Sequence, residues 1–205
     1  MSYEIPDTSS EKPKTRNPKL GTKIIGITGG IGSGKSTVSK FIEELGFPVY
    51  DSDFWAKELV NIDENLKSRI IELLGEESYD ENGKYNRKFV AEKVFDHQEL
   101  LLKLNQIIHP AVKIHFENWV SEQSTEFVFK ETALLFELKL NESCYKSVLV
   151  TADDNVRIKR VMNRDNKTYR EIEAVMQKQM PEKEKLKLAD FVVYNNTNLE
   201  NLRLE

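Results

Sequence analysis

Apolar residues fall into two spacings along this chain, and the alternation between them predicts its elements. Lys23 to Thr28 (KIIGIT) is a nearly unbroken apolar run closed by Gly29-Gly30, the pattern of a short buried strand. From Lys35 onward the apolar positions are Val38, Phe41, Ile42 and Leu45, one face of a helix that Gly46 stops. Phe47 to Tyr50 reads as a second strand. Strand, glycine loop, helix and strand in this order predict a parallel βαβ unit.

Residues 54 to 121 carry helical patterning and many charges. Trp55, Leu59 and Val60 mark one helix, and Leu66, Ile70, Ile71, Leu73 and Leu74 a second that ends at Gly75. DENGKY (80–85) is a turn. Phe89–Phe95 and Leu100–Ile108 read as helices, and a further helix is predicted from His109 to about Ser121. Strand character returns at Phe127–Lys130 and Ser147–Thr151. Charged helices follow from Asp153 to about Arg164 and from Tyr169 to about Gln179, where Pro181 interrupts the pattern. A last strand, Phe191–Tyr194, runs into Asn195-Asn196-Thr197. Five strands alternating with helices predict an α/β fold with a five-stranded, doubly wound parallel sheet.

Composition narrows the partners more than it changes the fold. The 205 residues are 39% hydrophobic and 31% charged, with a net charge of −4, so bulk charge offers nothing to nucleic acid. Cys144 is the single cysteine, which excludes an internal disulfide and leads us to expect a reducing, cytoplasmic setting. No apolar run approaches the ~18 residues of a membrane span. Residues 1–20, rich in Pro, Ser, Lys and Glu, are expected to form a poorly ordered extension. A single domain over 21–205, acting on small molecules as a monomer or weak oligomer, is the expectation.

The chemistry begins at Gly29-Gly30-Ile31-Gly32-Ser33-Gly34-Lys35-Ser36, which matches G-x-x-x-x-G-K-[ST] between a predicted strand and a predicted helix. The glycines let successive amides point into one hollow, and the helix adds the positive end of its dipole. Lys35 supplies a charge for the β- and γ-phosphates, and Ser36 offers a hydroxyl to Mg²⁺. The fixed positions arise by chance in on the order of one in a hundred chains of this length, so an NTP phosphate site is the firm reading. A guanine-reading N/T-K-x-D motif is absent from the sequence, which points away from GTPases and toward small-molecule kinases.

Asp51 and Asp53 close the second strand, on the rim where α/β sheets place ligands. Two roles are open to them. One carboxylate could take the proton of an acceptor hydroxyl, or both aspartates could cap the helix that starts near Phe54. Arg160 and Arg164, four apart on one helix face, could close over a transferring phosphate or form a solvated face pairing with Asp153, Asp154 or Asp165.

ITGGIGSGKSTVSKFIEELGFPVYDSD resembles the opening of the dephospho-CoA kinases, with their glycine-rich loop followed by D-x-D. The likeness continues through Leu104-Asn105-(x)3-His109-Pro110, Leu134-Leu135-Phe136-Glu137, Arg160-(x)3-Arg164-Asp165, Gln179 and Ala189–Asn196. Ala133 and Thr197 depart from the family pattern, standing where proline and glycine are usual. The resemblance implies a P-loop core like that of nucleoside monophosphate kinases, three-layered and built from 21–53, 122–152 and 183–205. It also implies a helical substrate-binding insertion (54–121) and a helical lid (153–182). The implied reaction is phosphorylation of the ribose 3′-hydroxyl of dephospho-CoA by ATP with Mg²⁺.

It further implies roles. Asp51 would be the base, with Lys35, Arg160 and Arg164 acting on the transferring phosphate. Gly29, Gly30, Ile31, Gly32, Ser33, Gly34, Lys35, Ser36, Thr37 and Asn195 would bind ATP. Asp53, Arg87, His109 and Leu134 would contact the substrate, although His109 could instead serve only its own helix. Ser36 would bind Mg²⁺, with Glu131 either reaching it through water or simply exposed.

Overall fold

The five predicted strand segments form one sheet in the computed structural model, which describes residues 21–205. The extension expected for residues 1–20 lies outside the described residues. The strands are β1 (Lys23–Thr28), β2 (Val49–Asp51), β3 (Phe127–Glu131), β4 (Lys146–Thr151) and β5 (Phe191–Tyr194). They pair in parallel throughout, in the order β2-β3-β1-β4-β5. All five therefore end on one rim, and the chain winds to both sides of β1. Asp51 and Ile27 both stand opposite Glu131, so the end of β2 is aligned with the end of β1 across β3.

The helices are α1 (Lys35–Glu44), α2 (Ser52–Ile62), α3 (Glu64–Leu74), α4 (Arg87–Phe95), α5 (Gln98–Glu122), α6 (Asp154–Asp165), α7 (Tyr169–Gln177), α8 (Glu182–Leu188) and α9 (Leu199–Leu204). Helices α2–α5 all lie between β2 and β3 and share one core, in which Leu59, Leu66, Ile70 and Phe116 bury against Tyr50 and Val128 of the sheet. A smaller cluster forms between α6 and α7 from Ile158, Val161 and Ile172, and the P-loop residue Ile31 packs into it.

The most informative departure from the sequence pattern is α5. The two helices expected on either side of His109 are one helix of 25 residues with Pro110 inside it. Proline lacks the N–H that would reach the Gln106 carbonyl, yet its fixed φ suits a helix. Leu104, Val112, Phe116 and Val120 are buried at intervals of four and eight residues, so a single stripe carries the helix through the missing bond. Helices α8 and α9 were not predicted: α8 is seven residues, five of them charged, and α9 is six.

Among the described residues, no helix is long and apolar enough to cross a membrane.

Candidate active site

The strand β1 delivers the chain to the rim at Thr28, and Gly29–Gly34 then turns back beneath the start of α1. Gly34 sits at φ +97°, a left-handed value, and a Cβ there would strike the Asn195 side-chain amide. The loop closes on itself through the Ser33 N–H, which donates to the Gly30 carbonyl at 3.1 Å. Among the described residues, the amides of Gly32, Gly34, Lys35 and Ser36 find no acceptor. Helix α1 has no side-chain cap and no acidic residue in its first turn. A helix start left so open, with its dipole unopposed, is an anion site. The Ser33 hydroxyl is buried beside it without a partner.

Lys35 reaches back over the loop, its ammonium donating to the Gly29 carbonyl at 2.9 Å. Burial pushes its pKa below the ordinary lysine range, opposed by Glu131, Asp53 and Asp51 and reinforced by Lys185. Ser36 is exposed at the second position of α1, and Thr37 lies half-buried beside it. Glu131 is buried at the end of β3, where its Oε2 accepts from the Ser39 hydroxyl at 2.6 Å. Burial raises the Glu131 pKa, and the Ser39 hydroxyl works against that rise.

Asp51 and Asp53 separate in role. Asp51 is the N-cap of α2: its Oδ1 accepts from the amides of Asp53 and Phe54, both at 2.9 Å. Its other oxygen is left without a donor among the described residues. Asp53 stands in the first turn of α2, where its charge favours the dipole. Burial raises the Asp53 pKa, while Lys35 and the Ala133 amide pull it down. Ala133 and the half-buried Leu134 form the turn after β3, so this turn abuts Asp53. With β3 between β2 and β1, ordinary strand spacing sets Asp51 about 10 Å from the strand that feeds the loop.

The far side of the loop is held by residues from the last third of the chain. Asn195 is buried at the end of β5, its side-chain amide donating to the Ser33 carbonyl at 2.8 Å. Arg160 clasps Asn195, with one bond to its carbonyl at 2.9 Å and one to its Oδ1 at 3.0 Å. A hollow of about 660 Å³ opens here, lined by Gly34, Thr37, Arg160, Asn195, Thr197 and Asn198 among others. Arg164 lies one turn beyond Arg160, exposed and paired with Asp165 at 2.7 Å. Arg157 is 3% exposed and donates to the Ile31 carbonyl at 3.0 Å, while the Ile31 amide donates to Gln179 Oε1 at 3.0 Å.

Arg87 and His109 are not drawn into this cluster. Arg87 is exposed at the first position of α4, and His109 is half-buried in α5, where burial lowers its pKa. Neither bonds to the loop or to Asp51 among the described residues. Sequence patterning did not single out Ser39, Lys185, Glu137 or Glu182 for the site. The serine three residues beyond Ser36 was a readable signal; the others look like ordinary surface charges until the fold buries Lys185 and half-buries Glu137 and Glu182.

The family model described as dephospho-CoA kinase matches residues 23–201. A dephospho-CoA kinase from Fusobacterium nucleatum is 41% identical over 180 residues, covering 87% of this chain and 92% of that one. One from Pasteurella multocida is 36% identical over 179 residues, covering 87% of each chain. A solved Thermus thermophilus structure superposes with a TM-score of 0.80 at 36% identity, covering 89% of this chain and 93% of that one. The open cradle, the rim aspartates and these full-length likenesses agree: the chain belongs to the dephospho-CoA kinase family.

Proposed function

We propose that the chain transfers the γ-phosphoryl group of ATP to the ribose 3′-hydroxyl of dephospho-CoA, yielding CoA and ADP in the cytoplasm. The observation that carries this reading is the pairing of an unopposed α1 start with a rim carboxylate that keeps one spare oxygen, Asp51 standing two strands, about 10 Å, from the strand that feeds the cradle. Asp51 holds the start of α2 through Oδ1 and uses Oδ2 to accept the hydroxyl proton as the oxygen attacks phosphorus. Lys35 and the free amides of Gly32, Gly34 and Ser36 hold the phosphate oxygens through attack and departure.

The oxygen donors of Ser36 and, through water, Glu131 fit Mg²⁺, a hard cation. When bound it neutralises charge on the phosphates. Gly29, Gly30, Ile31 and Ser33 shape the cradle, and the hollow beside Thr37 and Asn195 takes the nucleotide base. Arg160 is already at that hollow; Arg164 exchanges Asp165 for phosphate oxygens as the lid, residues 153–182, closes and excludes water. Asp53, Arg87, His109 and Leu134, with the helical insertion of residues 54–121, receive the acceptor. The enzyme meets only small molecules, as a monomer or weak oligomer.

Asp51→Asn tests the assignment of the base. The amide oxygen can still cap α2, so folding and ATP affinity are expected to survive while turnover falls by about a hundredfold or more. Turnover within a few-fold of the parent enzyme removes Asp51 as the base.

A further inference from the structure

Ile31, at the bend of the glycine loop, is held on every side by the segment from α6 to α8. Its amide donates to Gln179 and its carbonyl accepts from Arg157, each at 3.0 Å. Its side chain packs against the cluster of Ile158, Val161 and Ile172. Both bonded partners lie more than a hundred positions further along the chain, so the loop's curvature depends on where that distant segment sits. The segment is fixed in turn by charge. Arg157 is 3.2 Å from Asp154 and 3.3 Å from Glu182 of α8. The residue after Gln179 is Met180, and its amide donates to Glu137 Oε1 at 3.0 Å.

That same Glu137 oxygen lies 2.9 Å from the ammonium of Lys185, which is wholly buried. Sequestering a lysine from water against a half-buried glutamate is costly, and apolar residues of similar shape usually hold a fold as well. A pair kept at that cost, one bond from the residue beside Gln179, is better placed to position than to stabilise. Lys185 also lies close enough to Lys35 to lower its pKa. We infer that Lys185 and Glu137 are positioning residues for the phosphate cradle. Lys185 orients Glu137, Glu137 anchors Met180, and the anchored connection between α7 and α8 presents Gln179 to the Ile31 amide. The bend of the loop at Ile31 is therefore set by the base of the distant segment, at Arg157 and Gln179.

This inference rests on the reading that the loop binds ATP, and its test separates the two. Affinity for a non-hydrolysable ATP analogue is measured by calorimetry, and KM and kcat for ATP by ADP release. Thermal unfolding without ligand is followed alongside, for the parent, Lys185→Met with Glu137→Leu, Gln179→Ala, and all three changes together. The paired apolar replacement leaves no orphaned charge and should stay folded. It is expected to weaken the analogue and raise KM for ATP by about tenfold or more while the melting temperature stays near the parent's. Gln179→Ala should weaken binding to a similar degree. The triple variant should be no more than about threefold weaker than either, because all act through Ile31.

Analogue binding within about twofold of the parent in the folded pair variant overturns the inference, as does multiplication of the two effects in the triple variant. If the pair variant does not fold, Glu137→Gln, which keeps the shape and removes the charge drawing Lys185, is held to the same twofold limit. A parent chain that binds no nucleotide overturns the kinase reading itself.

Discussion

Lys35 and Asp51 each do two things, and their double duty can be separated by substitution. Asp51 caps α2 with one oxygen, and in the proposed reaction the other serves the acceptor. Asp51→Ala should therefore lose about 1 kcal/mol of stability in chemical denaturation, as capping losses do, whereas Asp51→Asn should lose little. Both should lose turnover. Lys35 is charged in a site that burial disfavours, so its pKa is depressed and its proton leaves as pH rises through a value below the ordinary lysine range. ATP affinity is accordingly expected to weaken on the alkaline side before a free lysine would titrate. In Lys35→Arg, whose guanidinium stays charged, that alkaline weakening should disappear even if binding is poorer overall. Titrating the analogue affinity against pH in both proteins checks this; an alkaline limb retained in the arginine variant would assign it to another group.

At the scale of elements, what the sequence made legible was whatever depends on near neighbours. The glycine loop, its flanking strand and α1 follow from local chemistry, and so does β2 with the aspartates at its end. The capping role fell to Asp51 alone, because α2 begins at Ser52, two residues earlier than the expected start near Phe54. Glu131, left open between exposure and the site, is buried against Ser39, since β3 runs one residue further than its apolar run. Helix α5 shows the converse: a proline read as a break is carried by a buried stripe that spans it. At the loop itself, Gly34→Ala places a side chain on left-handed backbone and against Asn195. It should cost roughly 1–3 kcal/mol, read by denaturation, and disrupt the nucleotide site with it.

The whole molecule brings the ends of five parallel strands to one rim and closes the site with residues from the far end of the chain. That long-range part was the least legible. Arg157, Glu182 and Lys185 sit in charged helices whose faces look solvated, and only the fold buries Arg157 and Lys185 and half-buries Glu182. One clamp makes this assembly pH-sensitive. Asp190 accepts from Lys146 at 2.7 Å and from the Ser147 amide and hydroxyl at 2.9 and 2.8 Å, tying the start of β5 to β4. Lys146 and then Ser147 hold its carboxyl down at about 2. A depressed carboxyl stabilises the fold above its unfolded pKa, so this contribution is present at neutral pH and is lost as pH falls from about 4 toward 2. Asp190→Asn should flatten that part of the acid-unfolding curve, and an unchanged curve would remove the clamp from the account.

The most direct test of the central claim is ADP formation by the purified chain with ATP and Mg²⁺, with and without dephospho-CoA, and with nucleosides, nucleotides and shikimate as rival acceptors. The account predicts that ADP release depends on dephospho-CoA and that the product carries the new phosphate on the ribose 3′-hydroxyl. Strong stimulation by another acceptor, with little or none by dephospho-CoA, would contradict it.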